Sequence, residues 1–434
     1  MGEAVDIPNI EGLKRIVVIG GGFAGFKFVR KINANLFQVV LIDKINYHQF
    51  QPLMYQVATA GLEPSSIAFP LRKAFKEHAN FHFRTCRALN INASESIVET
   101  NIGKIHYDYL VIATGCDTNY FENNSLIDAV FGMKSISESI LIRNRILLSL
   151  EQALNATSEC ELEKILNFVI VGGGPTGVEL TGALSDIKKN ILHKDYPELD
   201  LSKMNIHLID SSTRLLSSMS EYASKKVLEN FQKKGVIIHQ NRAVVSYEDD
   251  CIKMDNGEEI YSQNVFWVAG VKANTINGLN NDVYMKGRLL VNEYNQVKGY
   301  ENIYCIGDIS LMINDQYPKG HPQVVQTALQ MANNLAKNMN RVVKGNSKMK
   351  KFYYKDKGSL ATISRNAAVA DLGKLKFSGF IAWLLWLIIH MLYTTGLKNK
   401  IFVIINWAWN YFTYDTSLRL LILPKMSKIY KKLD

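Results

Sequence analysis

The chain contains two glycine-rich motifs, each with the same glycine spacing after an apolar run. These two motifs are its clearest candidates for a functional site. The first copy is KRIVVIGGGFAGF at residues 14–26, and the second is NFVIVGGGPTGVEL at residues 167–180. In each copy, apolar and mostly β-branched residues predict a buried strand, the glycines a tight turn, and the following residues a helix. Unpaired amides at a helix N-terminus favour an anion, so each copy predicts a site for a dinucleotide pyrophosphate.

An acidic residue ends the next predicted strand after each glycine loop. Asp43 ends FQVVLID roughly 20 residues after Gly25, which is the separation expected for a carboxylate that binds a ribose hydroxyl. Asp210 ends NIHLID at a greater distance from Gly177, and the polar stretch HKDYPELDLSKM at 193–204 accounts for the surplus. The alternative for each copy is a turn in an ordinary α/β domain.

Three further apolar stretches indicate how the domains are arranged. They are KIHYDYLVIATG at 104–115, NVFWVAG at 264–270 and ENIYCIGD at 301–308. This order predicts a second dinucleotide domain inserted in the first, whose last strand returns near residue 303. We therefore predict an α/β fold with two Rossmann-like domains and a C-terminal membrane-anchoring helical segment. The predicted boundaries are 1–118 and 288–345 for the first domain, 119–287 for the second, and 346–434 for the C-terminal region.

The chain has 434 residues and a net charge of +10, which is compatible with either nucleic acid or an anionic membrane surface. The position of the charge favours lipid, because basic residues flank the most apolar part of the chain and no nucleic-acid-binding signature occurs. The basic residues from 376 onward, set against Asp415 and Asp434, are Lys376, Lys398, Lys400, Arg419, Lys425, Lys428, Lys431 and Lys432.

The 5 cysteines are scattered without a C-x-x-C pair, so we expect no disulfide framework and no metal or iron–sulfur site. The N-terminus lacks the pattern of a secretory signal, so we expect the catalytic part in the cytoplasm.

The C-terminal apolar segment permits two interpretations. Residues 377–397 lack Asp, Glu, Lys and Arg and are long enough for a span of about 20 residues, whereas 401–414 is short for a return crossing. A single span would leave Arg419 and the lysines after it on the far side, against the positive-inside tendency. Two helices lying in the interface fit better, anchored by Trp383, Trp386, Trp407 and Trp409. The spanning model stays open as the alternative.

Together these residues resemble the two-dinucleotide-binding-domain flavoproteins, with FAD at the first motif and a nicotinamide at the second. Within that superfamily the sequence resembles type II NADH dehydrogenase, the NADH:quinone oxidoreductase that does not pump protons. The segments that carry the resemblance are NYHQFQPLMYQVATAGLEP (46–64), GGGPTGVELTGAL (172–184), HPQVVQTALQMA (321–332), GSLATISRNAAVADLG (358–373) and GFIAWLLWLIIHMLYTTGLKNK (379–400).

The resemblance implies three sets of binding residues. Non-covalent FAD would contact Gly20, Gly21, Gly22, Phe23, Ala24, Gly25, Asp43, Lys44, Asp308, Val325, Gln326 and Lys376. NADH would contact Gly172, Gly174, Pro175, Thr176, Gly177, Glu179, Asp210, Ala269 and Gly270. Quinone would contact Gln323, Gln326 and Gln330.

The quinone motif of the family, Ala-Gln-x-Ala-x-Gln, stands here at 325–330 with Val325 in place of the first alanine. The alternative for this stretch is an amphipathic helix with exposed amides.

Glu179 is the implied catalytic residue. A glutamate in the first turn of a helix is often only a favourable partner of the helix dipole. In the family the matching glutamate lies near the nicotinamide and the flavin, which implies a role in positioning before one in acid–base catalysis.

The implied reaction is transfer of two electrons from NADH through FAD to a membrane quinone, by a homodimer on the cytoplasmic side of the cell inner membrane. A disulfide reductase or a sulfide:quinone oxidoreductase would need a pair of cysteines against the flavin. The chain has no such pair after Asp43 or after Gly172. Two alternatives remain. One is an NADH oxidoreductase with a soluble protein acceptor, like ferredoxin reductase, and the other is a non-enzymatic scaffold that holds FAD at a membrane.

Overall fold

The computed structural model describes residue 5 and residues 7–345, 348–414 and 418–422. Asp415, Asp434 and the lysines at 425, 428, 431 and 432 lie outside the described residues. The chain forms two compact units. The first comprises Met1–His48, Phe69–Asp117 and Val271–Asp356, and the second comprises Gln49–Ala68, Thr118–Gly270 and Lys357–Asp434. The domain boundaries given above stay predictions.

The α-helices are α1 (Phe23–Lys31), α2 (Met54–Ala58), α3 (Leu71–Ala74), α4 (Asn124–Ala129), α5 (Ile136–Ala153), α6 (Glu159–Leu166), α7 (Pro175–Asn190), α8 (Leu192–Asp195), α9 (Glu221–Lys233), α10 (Val325–Val343), α11 (Phe380–Tyr393) and α12 (Leu397–Thr413). Short 3₁₀ helices occupy Gln51–Leu53, Pro64–Ile67, Leu201–Lys203 and Asn281–Val283.

The strands are β1 (Lys14–Ile19), β2 (Phe37–Asp43), β3 (Tyr47–Gln49), β4 (Ala68–Pro70), β5 (Phe81–Thr85), β6 (Ala88–Asn92), β7 (Ile97–Thr100), β8 (Gly103–His106), β9 (Tyr109–Ile112), β10 (Cys116–Thr118), β11 (Phe131–Gly132), β12 (Asn167–Val171), β13 (Asn205–Asp210), β14 (Ile237–Gln240), β15 (Val244–Glu248), β16 (Cys251–Met254), β17 (Glu259–Tyr261), β18 (Asn264–Trp267), β19 (Val271–Ala273), β20 (Tyr284–Met285), β21 (Arg288–Leu290), β22 (Ile303–Cys305), β23 (Ser310–Leu311), β24 (Ser359–Ser364), β25 (Ala367–Leu372) and β26 (Leu375–Gly379).

A five-stranded parallel sheet forms the centre of the first unit, in the order β22-β9-β1-β2-β5. Strand β1 is apolar and buried from Ile16 to Ile19, as a strand covered on both faces must be. Helices α1 and α10 pack against each other in this unit. The late strand β22 lies beside β9, so the predicted return of the chain near residue 303 is confirmed.

A second parallel sheet, in the order β11-β18-β12-β13-β14, forms the centre of the second unit. It repeats the arrangement of the first sheet, because a glycine loop joins its central strand β12 to helix α7, just as a loop joins β1 to α1. The two predicted βαβ units are therefore present.

Both loops bring the start of a helix against the end of a strand with no side chain between them. Gly20 and Gly172 have φ angles of +104° and +119°, which favour glycine. A Cβ at Gly25 would overlap the carbonyl oxygen of Gly20, and a Cβ at Gly177 would overlap that of Gly172.

The C-terminal residues of the second unit form the antiparallel sheet β24-β25-β26 followed by α11 and α12. The apolar stretch 377–397 is therefore not one helix, because 377–379 pair with β25 and α11 begins only after Gly379, at φ +89°. Gly396, at φ +88°, separates α11 from α12. In the part of the chain that the structure describes, no helix is both long and apolar enough to cross a membrane.

Gly177→Ala should destabilise the protein, because the added methyl group would press on the Gly172 carbonyl and force the helix away from the strand. We expect a loss of about 1–3 kcal/mol in the free energy of unfolding, the usual cost of overpacking. Gly174→Ala is the matched control, because its Cβ would have no heavy atom within 4 Å. Thermal unfolding followed by circular dichroism measures the difference, and equal midpoints for the two variants would contradict the close approach.

Candidate active site

The first glycine loop is closed by the acidic residue that the sequence predicted for it. The amide of Gly21 donates to Oδ2 of Asp43 at 2.5 Å, and the amide of Ile45 donates to Oδ1 at 2.9 Å. Burial raises the pKa of the Asp43 carboxyl, and these backbone amides oppose that rise. Asp43 is thereby fixed at the carboxyl end of β2, where a ribose hydroxyl would be bound in a fold of this kind.

His48 supports this loop and was missed by the sequence analysis. Its Nδ1 lies 3.1 Å from the carbonyl oxygen of Gly21, and its ring stacks on Phe26 with the ring centroids 4.4 Å apart. Burial lowers the pKa of His48 to about 4, so the ring is neutral at pH 7. No spacing rule points to this residue, because it lies outside the glycine motif and contacts it only in the folded chain.

The second loop repeats the arrangement. The amide of Gly173 donates to Oδ2 of Asp210, and the amide of Ser212 donates to Oδ1 at 2.6 Å. The long separation from Gly177 is taken up by α8 and the 3₁₀ helix Leu201–Lys203, which precede β13. Asp210 therefore occupies the same position beside its loop as Asp43, and its contact with NADH stays a prediction.

The exposed part of the second loop is Gly174, Pro175 and Thr176, at the start of α7. A helix N-terminus with exposed amides is a suitable place for a pyrophosphate. Gly270 is also exposed, at φ +68°, directly after Ala269. The Arg214 side chain makes its hydrogen bonds outside the glycine loop. Its guanidinium donates to the carbonyl oxygens of Ser217 and Met219 and to the hydroxyl of Ser224.

The glutamines predicted to contact quinone have different surroundings. Gln323 donates from Nε2 to the carbonyl oxygen of Asp308 at 2.9 Å. Both ends of the Gln330 amide bond the backbone of Lys355, with N···O distances of 2.9 and 3.0 Å. Val325 and Gln326 are half-buried at the start of α10. A quinone contact at Gln330 stays a prediction and would require these backbone bonds to open.

The remaining predicted FAD residues are spread over both units. In the first unit, Oδ2 of Asp308 lies 3.0 Å from the Cys116 thiol, and Nζ of Lys44 lies 4.0 Å from Asp117. Lys376 belongs to the second unit, on β26, where it is exposed. Its proposed place near the flavin ring therefore stays a prediction.

Glu179 is a buried acidic residue of the second unit. It stands just after the first turn of the nucleotide helix α7, not within that turn as the sequence suggested, and it is 9% exposed. Oε1 accepts hydrogen bonds from the Thr362 amide at 3.3 Å and from Nε1 of Trp386 at 3.2 Å. Burial raises the pKa of Glu179 to about 8, and the two donors oppose the rise. Much of this carboxyl is therefore protonated at pH 7, where it holds a proton that it can donate.

A cavity of about 190 Å³ adjoins Glu179 within the second unit. Its walls come from α2, α7, β24 and the two C-terminal helices, with Tyr55, Gln56, Arg365 and Trp407 among the lining residues. The hydroxyl of Tyr55 lies 3.0 Å from that of Thr362, and Nε1 of Trp407 donates to Gln56 at 2.7 Å. Polar side chains of α2 therefore connect the C-terminal helices to the neighbourhood of Glu179.

Trp386 corrects the interpretation of the four tryptophans as interfacial anchors. It is 0% exposed, whereas Trp409 is 55% exposed. The sequence could not distinguish them, because both stand in apolar helices and the partner of Trp386 is a distant carboxyl.

The residues around the first loop fit FAD. Gly22 is exposed and leaves open space at the helix N-terminus, and the half-buried Asp43 accepts from the amide of the preceding Gly21. These are the amide donors and the carboxylate that an adenine dinucleotide requires.

Comparison with known proteins decides the family. The model of the pyridine nucleotide-disulphide oxidoreductase family matches residues 14–332, and that of the NDH2 C-terminal domain matches residues 357–413. The type II NADH:quinone oxidoreductase Ndh of Mycobacterium tuberculosis is 32% identical over 412 residues, which are 91% of this chain and 87% of that protein.

This chain belongs to the type II NADH:quinone oxidoreductases.

Two more members show how far the likeness extends. The type II NADH:quinone oxidoreductase of Haemophilus influenzae is 28% identical over 83% of this chain and 87% of its own length. The solved structure of NDH2 from Plasmodium falciparum in complex with NADH has a TM-score of 0.86 at 21% identity, over 94% of this chain and 100% of that one. The predicted fold class is confirmed, and FAD is the cofactor of this family.

A type II oxidoreductase with Asp210 at its second loop should prefer NADH to NADPH. The carboxylate can accept from the ribose 2′-hydroxyl but repels a 2′-phosphate, and Arg214 is held away by its own hydrogen bonds. We expect kcat/KM for NADH to exceed that for NADPH by about 100-fold.

Asp210→Asn should lower the ratio of kcat/KM for NADH to kcat/KM for NADPH. Asp200→Asn is the control, because it also removes one negative charge but lies in the connection before β13, and it should leave the ratio unchanged. Steady-state kinetics with both nucleotides give the ratio. An equal or higher kcat/KM for NADPH in the unaltered protein would show that Asp210 does not select the nucleotide.

Proposed function

We propose that this protein transfers two electrons from NADH through FAD to a membrane quinone without pumping protons. The observation that carries the proposal is the pair of equivalent glycine loops, one in each unit, each closed by a carboxylate that accepts from a loop amide. One loop suits a resident cofactor and the other a visiting donor. The family to which the chain belongs supports this division.

The protein contributes binding and orientation rather than covalent chemistry. When bound, FAD supplies a two-electron carrier that accepts a hydride and yields electrons to an acceptor. The glycine loops hold the two pyrophosphates at helix N-termini, and Asp43 and Asp210 orient the riboses. Fixing two reactants in contact supplies a large part of the rate in reactions of this kind.

Glu179 is proposed to lie near the nicotinamide. It stands just after the first turn of α7, which the exposed residues Gly174, Pro175 and Thr176 begin. A carboxyl with a pKa of about 8 exists in both protonation states near neutral pH. It is therefore suited to orient the donor and to hold or release one proton there.

The quinone side is proposed at the start of α10, where Gln323 and Gln326 are half-buried. An amide side chain can donate to a quinone carbonyl oxygen and accept from the quinol hydroxyl. Val325 replaces the alanine of the family motif, so the space beside Gln326 is smaller by two methyl groups.

The lipid surface is proposed to meet the two C-terminal helices from the cytoplasmic side. Both helices expose apolar side chains, and Lys398 and Lys400 lie in the first turn of α12. The large apolar residues exposed on α11 and α12 are Phe380, Ile381, Leu384, Ile388, Leu392, Tyr393, Leu397, Ile401, Phe402, Ile404, Ile405, Trp409 and Phe412. An apolar face of this extent next to lysines suits a monotopic helix pair on an anionic bilayer. A homodimer is proposed from the family alone.

The function is tested by turnover of the purified protein with NADH and a short-chain quinone, in the presence and absence of detergent or lipid. We expect quinone-dependent NADH oxidation that lipid enhances. Turnover with a ferredoxin-like protein but not with quinone would instead support a soluble acceptor, and absence of any NADH oxidation by the FAD-loaded protein would support a scaffold.

Gln326→Ala should slow quinone reduction by about tenfold or more while flavin reduction by NADH stays near the unaltered rate, because the amide lies on the acceptor side of the flavin in this proposal. Stopped-flow spectroscopy of the two half-reactions separates these rates. Asn334→Ala is the control, since it removes an amide from the same helix outside the motif. Equal slowing of both half-reactions would show that Gln326 has only a structural role in α10.

Membrane attachment should resist salt and yield to detergent. Burial of the apolar side chains contributes about 25 cal/mol per Å², whereas each lysine near an anionic surface adds about 1 kcal/mol. At 1 M salt the Debye length is roughly 3 Å, so only the second contribution is removed. Sedimentation of membranes after each wash measures this, and quantitative release by salt alone would show that α11 and α12 do not enter lipid.

A further inference from the structure

Helix α11 has a buried side and an exposed apolar side. Its buried side chains are Ala382 and Trp386, whereas Ile381, Leu384 and Leu392 are 72%, 46% and 60% exposed. A tryptophan in an apolar helix beside lipid usually faces the interface. Trp386 instead is 0% exposed, so its indole serves a contact inside the second unit.

The indole is held in one orientation. The ring of His390, one turn along the helix, stacks on it with centroids 3.9 Å apart, and the Trp407 ring lies 5.8 Å away. Nδ1 of His390 lies 2.8 Å from the Trp386 carbonyl oxygen, which fixes His390 in turn. With the indole ring in this position, its N–H donates to Oε1 of Glu179 at 3.2 Å.

We propose that Trp386 is a positioning residue for the reaction with NADH, through which the C-terminal helix α11 fixes the orientation and proton affinity of Glu179. This inference rests on the proposed function. It assigns α11 a second role beside membrane attachment, because the same helix exposes its apolar face and completes the hydrogen bonds of a buried carboxyl in the nucleotide helix.

The direction of the effect follows from which form of the carboxyl the indole favours. A hydrogen bond donated to a carboxylate stabilises the charged form, so it lowers the pKa that burial raises. Removing the donor should therefore raise the pKa of Glu179 above about 8 and extend its protonated form to higher pH. The Thr362 amide remains as the second donor, so the change is partial.

Other ionisable groups lie on the elements packed around Glu179. Tyr55 on α2 has a pKa raised far above neutrality by burial, and the pKa of His390 on α11 is lowered to about 4. Asp186 on α7 and Arg365 after β24 line the same cavity, and Asp186 is paired with Lys234 and with the Arg365 amide. Tyr55 and His390 stay uncharged near neutral pH. A titration in this pH range that Glu179→Gln abolishes therefore belongs to Glu179.

The test uses the full-length protein loaded with FAD and follows flavin bleaching by NADH in anaerobic stopped flow, from about pH 6 to pH 10. Bleaching of the unaltered protein tests the proposed function first and separately. Trp386→Phe keeps an aromatic ring but lacks the N–H, and Trp383→Phe is the matched control on the same helix, because Trp383 stacks on Tyr411. Replacement of Trp386 by 3-benzothienylalanine keeps the bicyclic shape and removes only the donor, so a packing defect in the phenylalanine variant does not obscure the result.

We expect the midpoint of the pH profile to move upward by about 0.5–1 unit in both Trp386 variants and to stay in place in Trp383→Phe. In a Glu179→Gln background, where the titration is absent, the Trp386 variants should add no further pH dependence. An unchanged midpoint in the benzothienyl variant would overturn the proposal. So would a shift that persists with Glu179→Gln, or a profile of the unaltered protein that Glu179→Gln does not change.

Discussion

The direct contact of a helix start with a strand end, made possible by the absence of a side chain at Gly25 and Gly177, is the constraint on which the rest of the structure depends. A Cβ at either position would overlap a backbone carbonyl oxygen. Because the helix begins at the strand end, its free amides point out of the loop. Because the loop is tight, the carboxylate of the next strand reaches a loop amide. One packing requirement thus produces both halves of a dinucleotide site, twice in the chain.

Helix α7 both follows a nucleotide loop and packs against the C-terminal part of the chain. It begins at the loop and carries Glu179 just after its first turn. Its middle touches β24, because Gly182 lies against the Ile363 carbonyl with no room for a Cβ. The chain after residue 357 therefore packs on the nucleotide helix itself. This contact brings the Thr362 amide and the Trp386 indole to Glu179, so the nucleotide helix and the C-terminal helices share one buried carboxyl.

Local patterns in the sequence predicted the parts of this structure that depend on local physics. The strands before Gly20 and Gly172, the inserted second sheet and the positions of Asp43 and Asp210 follow from apolar runs, glycine spacing and the geometry of parallel strands. The inward position of Trp386 could not be predicted, since its partner Glu179 is 207 residues away and an apolar helix with tryptophans is typical of a lipid interface. Residues 377–379 were assigned to the apolar stretch because hydropathy does not show that they pair with β25. His48 was missed for a similar reason, since its contact with Gly21 exists only in the fold.

The central claim is that one unit holds FAD and the other receives NADH, with quinone as the final acceptor. Anaerobic titration of the purified, FAD-loaded protein tests it most directly, by following flavin absorbance during addition of NADH and then of a short-chain quinone. The structure and its family predict complete bleaching at about one NADH per FAD and full recovery at about one quinone per FAD, because the chemistry moves two electrons in each step. Flavin that NADH does not bleach, or that stays reduced after quinone is added, would contradict the account.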